Sequence, residues 1–551
     1  MQEHSRNWRT RSTDLAICAG LAVLAAVVFS KDIHVGGIRD RDGAVHAMDG
    51  ALIYDWVRVG PAAWLNPVAF AVQQYTRYPC LGIVGVYPPG FALAEAAVFA
   101  VAGVSVVSAR LTVVLFGLLA VAGCWLFVRR FASDVAALLA AASLIGMPMT
   151  VALARQVMLE MPTLAVLIWL AWAADRYVAR PTWRRLLPVV ALAVAGPLFK
   201  QNAIFIVPVL GVAALCLCRA GKLPWPHLLV GASAMVLPLC LYYGWAMAFQ
   251  GAATHMARTF TNDTASMSAA FTWSSLTFYL RTLPQRAGPV ILGLAGIGAA
   301  LSLRRGGWRA WLLAGWFVAV YALQTLLVEK TDRYLFFAYF PMAVWVGMAA
   351  EALLRLVRPA PVRGPLVALA ILALAAVGYS VPIKYRPDFT ELVRNYADRM
   401  RGGVILVEAN RDTCFVLAAR SVLGRQAGVI VRGSKLLYSC ASGVEWNFAS
   451  HVSSRADVAA LLDRFAFDLI FVERGNRAGL AEIEYLREEL ASTSRYELVG
   501  SHELRAVPDD RRAAVTIDVY RLRQPAARLV RELDIPVPLV GRTIRVRLDD
   551  L

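Results

Sequence analysis

The sequence predicts a polytopic α-helical membrane protein that ends in a small C-terminal α/β domain. Three observations carry that expectation. The 551 residues are 58% hydrophobic with a mean hydropathy of +0.56, which is too apolar for a soluble globule. Apolar runs of roughly 20 residues, the length that crosses a bilayer, recur as far as Pro382 and then stop. Arginines collect in alternate connectors between those runs, which gives the runs one consistent orientation.

Taken in order, the chain begins with Arg6, Arg9 and Arg11 ahead of the apolar run Leu15–Phe29. No small-x-small cleavage site stands near Ser30, so this is expected to be a retained first helix with a cytoplasmic N-terminus. A polar stretch follows, Arg39 to Gly50, with Asp40, Asp42, Asp49 and His46 within twelve residues. Further spans are expected near 108–128, 134–153, 161–177, 186–200, 203–218, 227–249, 287–303, 309–328, 335–354 and 365–382; with the first, near 14–30, they make about eleven. The span 186–200 contains Pro188 and Pro197 and is expected to be broken or tilted.

Phe91–Val107 is the ambiguous run, and charge decides it. The basic connectors are Arg129-Arg130, Arg176–Arg185, Arg219–Lys222, Arg304–Arg309 and Arg355–Arg363. If Phe91–Val107 does not cross, all five lie in the cytoplasm; if it crosses, all five lie outside, against the positive-inside rule. It is therefore expected to lie in the interface, within one external segment, 31–107. The same rule accounts for the net charge of +18 without nucleic acid, for which no motif is present.

This topology sorts the polar residues by side. Asp40, Asp42, His46, Asp49, Arg155, Glu160, Lys200, His255, Arg258, Arg333 and Tyr334 all fall outside, several at the ends of apolar runs. Taken singly, each is readily a snorkelling anchor or a structural ion pair. Together on one face they point to a shared polar cavity.

After Pro382 the composition turns charged. Residues 383–551 are expected to form a soluble extracytoplasmic domain, distinct from the membrane domain of residues 1–382. Val404–Glu408, Leu469–Glu473, Thr516–Leu522 and Thr543–Leu548 read as strands, and Asp457–Phe465 and Ala481–Leu490 as amphipathic helices. Its two cysteines, Cys414 and Cys440, are candidates for a disulfide in an oxidising compartment. Internal repeats, a P-loop, GxGxxG, HExxH and a nucleophile elbow are all absent from the sequence.

With the topology drawn, a chain of short motifs emerges. After the first external acids come Tyr87-Pro88-Pro89, an apolar stretch ending at Gly103, and Ala109-Arg110-Leu111. Arg155-Gln156-x-x-x-Glu160-Met161-Pro162, Lys200 before a span, and Asp332-Arg333-Tyr334-Leu335 leading to Pro341 follow. Over residues 14–382 the chain resembles the bacterial polyprenyl-phosphate-dependent GT-C glycosyltransferases, the protein-mannosyltransferase-like and aminoarabinose-transferase-like family. It departs from them at Gly43, where they carry Glu after the leading Asp, and at Tyr87, where they carry His or Glu-Lys before Pro-Pro.

The resemblance implies an inverting transfer of a sugar from a polyprenyl-phosphate donor to a lipid, glycan or protein acceptor, at the outer face of the cytoplasmic (inner) membrane. Asp42 is then the expected general base, with Asp40 in reserve and Asp49 not excluded. Glu160 is the second acid, orienting the acceptor or a metal. Arg333, Lys200, Arg155 and Arg258 are expected on the phosphate, Tyr334 and Tyr87 on phosphate or sugar, and His46 beside the acid. His255 with Glu160 or a first-loop acid is the set that would hold a divalent metal cation; with no paired ligand spacing, the metal stays unassigned. The rival enzyme is an O-antigen ligase or polymerase with a lipid-diphosphate donor, whose arginines gather in a late external loop. A lipid or sugar transporter would want ionisable groups inside its spans and repeated halves.

Overall fold

The computed structural model describes residues 2–82, 87–249, 272–326, 330–382, 386–439, 448–475, 479–506, 514–524, 532–537 and 542–547. His255, Arg258 and Cys440 lie outside the described residues.

The first helix, α1 (Gln2–Phe29), leads through a turn to α2 (Arg41–Val59). Three further helices, α3 (Pro61–Leu65), α4 (Pro67–Arg77) and α5 (Gly90–Ala102), complete the segment before the next long helix, α6 (Val106–Val128). The ambiguous run thus yields α5, whose 13 residues reach about 20 Å, short of a bilayer core of about 30 Å. It packs against α2 and α6.

The bundle continues through α7 (Asp134–Gly146), α8 (Pro148–Ala154), α9 (Glu160–Ala179), α10 (Trp183–Phe199), α11 (Ile206–Arg219) and α12 (Trp225–Phe249). It closes with α13 (Trp273–Ala287), α14 (Pro289–Arg305), α15 (Trp308–Leu326), α16 (Tyr339–Leu356) and α17 (Arg363–Ser380). The core of this bundle is built on α7. Its Ala136, Ala137, Ala140, Ala141 and Ala142 are all buried, and small side chains let α6, α16 and α17 pack closely against it.

Among the described residues, five helical stretches are long and apolar enough to cross a membrane, or seven if two bent pairs each count as one span. One pair, α7 and α8, bends by 64° ahead of Pro148; the other, α13 and α14, bends by 115° ahead of Pro289. The expectation of eleven spans is therefore met only in part. Over the described residues each expected span is largely helical, but α9 carries Glu160, Asp175 and Arg176, and α10 carries Arg184 and Arg185. Helix α10 also runs unbroken through both prolines, with Pro188 and Pro197 inside it.

Helix α9 carries a buried acid near each end. Asp175 pairs with Arg130 and, at 2.5 Å, with Arg309, so three basic connectors meet there. Glu160, fifteen residues earlier in the helix and so about 22 Å away, pairs with Lys200 at 2.7 Å.

The C-terminal part opens with α18 (Thr390–Asn395) and α19 (Ala397–Met400). Its sheet has the order β2-β1-β5-β7-β6, with β1 (Val404–Glu408), β2 (Val429–Arg432), β5 (Leu469–Glu473), β6 (Tyr496–Leu504) and β7 (Val515–Leu522). Strands β2, β1 and β5 are parallel, and β7 and β6 are antiparallel. Helix α20 (Asp412–Leu423) joins β1 to β2, and α22 (Arg455–Phe465), which follows the one-turn α21 (Gly433–Leu436), leads into β5. Helix α23 (Ala481–Ser492) precedes β6; β3 (Tyr438–Ser439) pairs with β4 (Ala449–Ser450), and β8 (Glu532–Val537) with β9 (Arg542–Arg547).

Side-chain alternation gives the five-stranded sheet two apolar faces. Ile405, Val407, Leu469 and Phe471 share a core with α20 that is continuous with the helical bundle. Val404, Leu406, Ile470 and Val472 pack with α22 and α23 instead. The domain thus sits on the bundle through one face of its sheet. A buried bidentate pair, Arg420 of α20 with Asp55 of α2 at 2.7–3.1 Å, fastens it there. Cys414 is a buried thiol; the partner expected for it, Cys440, lies outside the described residues. The Cys414 side chain points at the Ile38 carbonyl, Sγ to O 3.7 Å.

Candidate active site

Four chain segments bring charged groups together at the α2 end of the bundle. Helix α2 starts at Arg41, after Asp40 in an extended N-cap conformation, and places Asp42 in its first turn, where the helix dipole favours an anion. Gly43 follows because the helix is pressed onto its neighbours: a Cβ there would lie 2.7 Å from the Val157 carbonyl and 2.8 Å from the Ile38 side chain. A side chain at position 43, such as the Glu expected there from the resemblance, would have to displace these neighbours.

Helix α9 begins with Glu160, which is fully buried. Lys200 stands where α10 ends and a 3-10 turn, Gln201–Phe205, begins. Arg333 and Tyr334 lie in a second 3-10 turn, Asp332–Ala338, that runs into α16. Both cations are thus presented from breaks in helical structure, where a long side chain can reach across the bundle.

The geometry converges on two carboxylates. Lys200 donates to Glu160 Oε1 at 2.7 Å, and Arg333 Nε lies 3.7 Å from the same oxygen. Arg333 also donates through Nη2 to Asp42 Oδ2 at 3.3 Å. Arg333 and Lys200 sit 5.7 and 5.9 Å from the centre of the Tyr334 ring. Asp42 is the open member of the group, with a side chain 41% exposed against 1% for Glu160.

Behind this cluster lies an aromatic wall. His46 is one helical turn beyond Asp42 on α2 and is buried edge-on to Tyr87, ring centres 4.4 Å apart, with Phe91 at 6.3 Å. Burial pulls the imidazole down to about 4, against an upward pull from the Asp42 carboxylate. Burial likewise holds the Tyr87 phenol well above its ordinary range, and Asp42 adds to that, so the hydroxyl stays protonated.

The other expected residues are placed differently. Asp49 is buried and accepts the Gly82 N–H at 2.7 Å, tying down the loop that carries Tyr87. Asp40 lines a cavity of about 40 Å³ with Lys31, Arg110 and Gln156. Arg155 belongs to the scaffold. Its guanidinium donates to the carbonyls of Val28, Gly378 and Val381 at 2.7–3.2 Å, carbonyls that lie where α1 and α17 end. Among the described residues no three His, Cys, Asp or Glu side chains gather as a metal set, and Glu160 already faces two cations.

Sequence reasoning missed Asp55 and its partner Arg420, because an ion pair 365 residues apart in the chain leaves no local signal. It also missed Glu95, which was visible as the lone acid of an apolar run. Glu95 is fully buried, neither carboxyl oxygen has a hydrogen-bond partner, and burial pushes its carboxyl well above the usual range.

Residues 86–243, from just before Tyr87 to the middle of α12, match the family model described as dolichyl-phosphate-mannose-protein mannosyltransferase. The apo crystal structure of ArnT from Cupriavidus metallidurans superposes with a TM-score of 0.60, over 93% of this chain and 98% of that one, at 13% identity. The chain has the fold of the GT-C glycosyltransferases. The crystal structure of the same ArnT bound to undecaprenyl phosphate gives a TM-score of 0.58, over 92% and 97% of the two chains, at 14% identity. Among curated proteins, none matches significantly by sequence. The GT-C likeness therefore spans the C-terminal sheet as well as the bundle, further than the motifs of residues 14–382 reach.

Proposed function

We propose that the chain is an inverting glycosyltransferase that moves a sugar from a polyprenyl-phosphate donor to an acceptor hydroxyl or amine at the outer face of the cytoplasmic membrane. The observation that carries this is the pairing of the half-exposed Asp42 carboxylate with Arg333, 3.3 Å apart, beside Lys200. A base and two cations side by side at a membrane face are what such a transfer needs. The likeness to ArnT, whose crystal structure holds undecaprenyl phosphate, supports the donor class.

In this mechanism Asp42 takes the proton of the acceptor as the acceptor oxygen or nitrogen attacks the anomeric carbon. The bond from that carbon to the phosphate oxygen breaks with inversion, and the electron pair leaves on polyprenyl phosphate. Arg333 and Lys200 neutralise the charge that builds there, worth several kcal/mol when such donors are preorganised. Glu160 holds the two cations in place before the donor arrives. Tyr87, protonated throughout, is a further donor for the phosphate or sugar.

The test is sugar transfer from a labelled polyprenyl-phosphate sugar in membranes containing the full chain. Asp42→Asn should lower kcat at least 100-fold, about 3 kcal/mol, with the donor KM little changed. Asp40→Asn should stay near wild type. Full activity in Asp42→Asn would remove the base assigned here, and loss in Asp40→Asn alone would move it to Asp40.

A further inference from the structure

In the C-terminal sheet, β1 leads through α20 to β2 on one side, while β5 lies on the other side of β1. The chain therefore reverses direction between β1 and β5. In open parallel sheets the crevice outside the carboxyl ends of two such strands is where a ligand characteristically sits. Here another part of the same chain fills that crevice. The segment Ile38–Arg41, immediately ahead of Asp42, lies against the residues that follow β1.

The contacts are specific. Arg411, at the N-cap of α20, donates to the carbonyl of Arg39 and, at 3.5 Å, to that of Ile38. Cys414, one turn into α20, points its thiol at the Ile38 carbonyl. Arg41 donates to the Asn410 side chain, and the Asn410 N–H is in turn held by Glu473 at the end of β5, at 2.7 Å. Just upstream, Gly37 donates to the Arg386 carbonyl at 2.8 Å. Gly36 adopts φ +62°, and a Cβ there would lie 2.6 Å from that same oxygen. From the bundle side, Arg110 takes the carbonyls of Ile33, Val35 and Gly37 at 2.7–2.9 Å.

We propose that the C-terminal domain is the positioning device of the reaction centre: the crevice between β1 and β5 clamps Ile38–Arg41 and thereby sets the start of α2 and the Asp42 carboxylate. Arg411 is its chief positioning residue. It holds the carbonyl three residues before Asp42 and takes no part in the Asp42–Arg333–Glu160–Lys200 cluster. The assignment of Asp42 as base rests on the function proposed above; the clamp itself does not. Domain docking has separate anchors, the buried Asp55–Arg420 pair and the bond from the Tyr78 hydroxyl to the Gly424 carbonyl, so loss of Arg411 should loosen the segment without releasing the domain.

Two measurements on the purified full-length chain test this. Hydrogen–deuterium exchange should show faster exchange over residues 38–46 in Arg411→Ala, with unchanged exchange over 415–423 of α20. Arg411→Lys should restore part of the protection, and Asn410→Ala should give a milder form of the same pattern. In transfer assays Arg411→Ala should lower kcat by roughly ten- to a hundredfold, the usual cost of a misplaced reacting group, with the donor KM unchanged. Unchanged exchange over 38–46 in both Arg411→Ala and Asn410→Ala overturns the clamp, as does a raised KM at constant kcat. Should the wild type transfer no sugar from any polyprenyl-phosphate donor, the functional proposal falls while the exchange result still decides the clamp.

Discussion

Lys200 Nζ lies 2.7 Å from Glu160 Oε1, across the bundle from the break after α10 to the first residue of α9. Glu160 is fully buried, and its second oxygen has no hydrogen-bond partner. It is therefore the buried countercharge of a site whose other charged groups are two cations, Lys200 and Arg333, and the more exposed Asp42 carboxylate.

Removing that countercharge should have opposite effects on stability and on anion binding. Glu160→Gln leaves Lys200 without its partner and should cost about 3 kcal/mol, the usual consequence of breaking a buried pair. An anion that enters the site should recover part of that loss. Thermal unfolding of the purified variant should show a lowered midpoint that rises more with added polyprenyl phosphate than the wild type does. An unchanged midpoint without the lipid would show that the pair does not hold the site together.

Arg155 leads to a different expectation from Arg333, although the sequence places both outside at the head of a span. Its guanidinium serves carbonyls at the ends of α1 and α17. Hydrogen bonds that involve a charged group each contribute about 1.5–3 kcal/mol. Arg155→Met should lower the unfolding midpoint and leave the donor KM of the surviving folded protein near wild type. Arg333→Met should do the reverse, costing little stability and most of the transfer rate. A raised donor KM in Arg155→Met would return that residue to the binding site.

The contrast between these two arginines marks how far the sequence reaches. Apolar run length, charge counting and motif order were enough to gather Asp42, Glu160, Lys200 and Arg333 on one face, because each stands at a helix end where a polar residue is conspicuous. The same signals could not separate Arg155 from Arg333, since which acceptor a guanidinium finds depends on which helix ends lie near it in space. The short strands Val404–Glu408 and Leu469–Glu473 were legible because they are continuous apolar runs ending in an acid. Their seating over Ile38–Arg41 was not, because backbone carbonyls leave no trace in the side-chain pattern. Span counting is least decisive where helices carry buried charge, as α9 does with Glu160 and Asp175.

His46 provides the pH dependence. Its imidazole is pulled from an ordinary value of 6.5 to about 4, first by burial, with Asp42 opposing. The unfolded chain therefore binds a proton near pH 6.5 that the folded chain takes up only near pH 4. Between those limits the unfolded state holds more protons, so stability rises with pH across this window. The contribution is complete above about pH 6.5 and is lost as the pH falls to about 4, with a size of about 3 kcal/mol. His46→Phe keeps a ring against Tyr87 and Phe91 and removes the titration. Unfolding midpoints at pH 4.5 and 7.5 should therefore differ less in His46→Phe than in the wild type, with the gap between the two proteins closing at the higher pH. Because His46 stays neutral at neutral pH, it donates at most one ring N–H to Asp42's surroundings and carries no charge to the phosphate. A limb near pH 6.5 in the kcat profile of the wild type that vanishes in His46→Phe would show instead that the imidazole titrates in the working enzyme and takes part in the proton transfer.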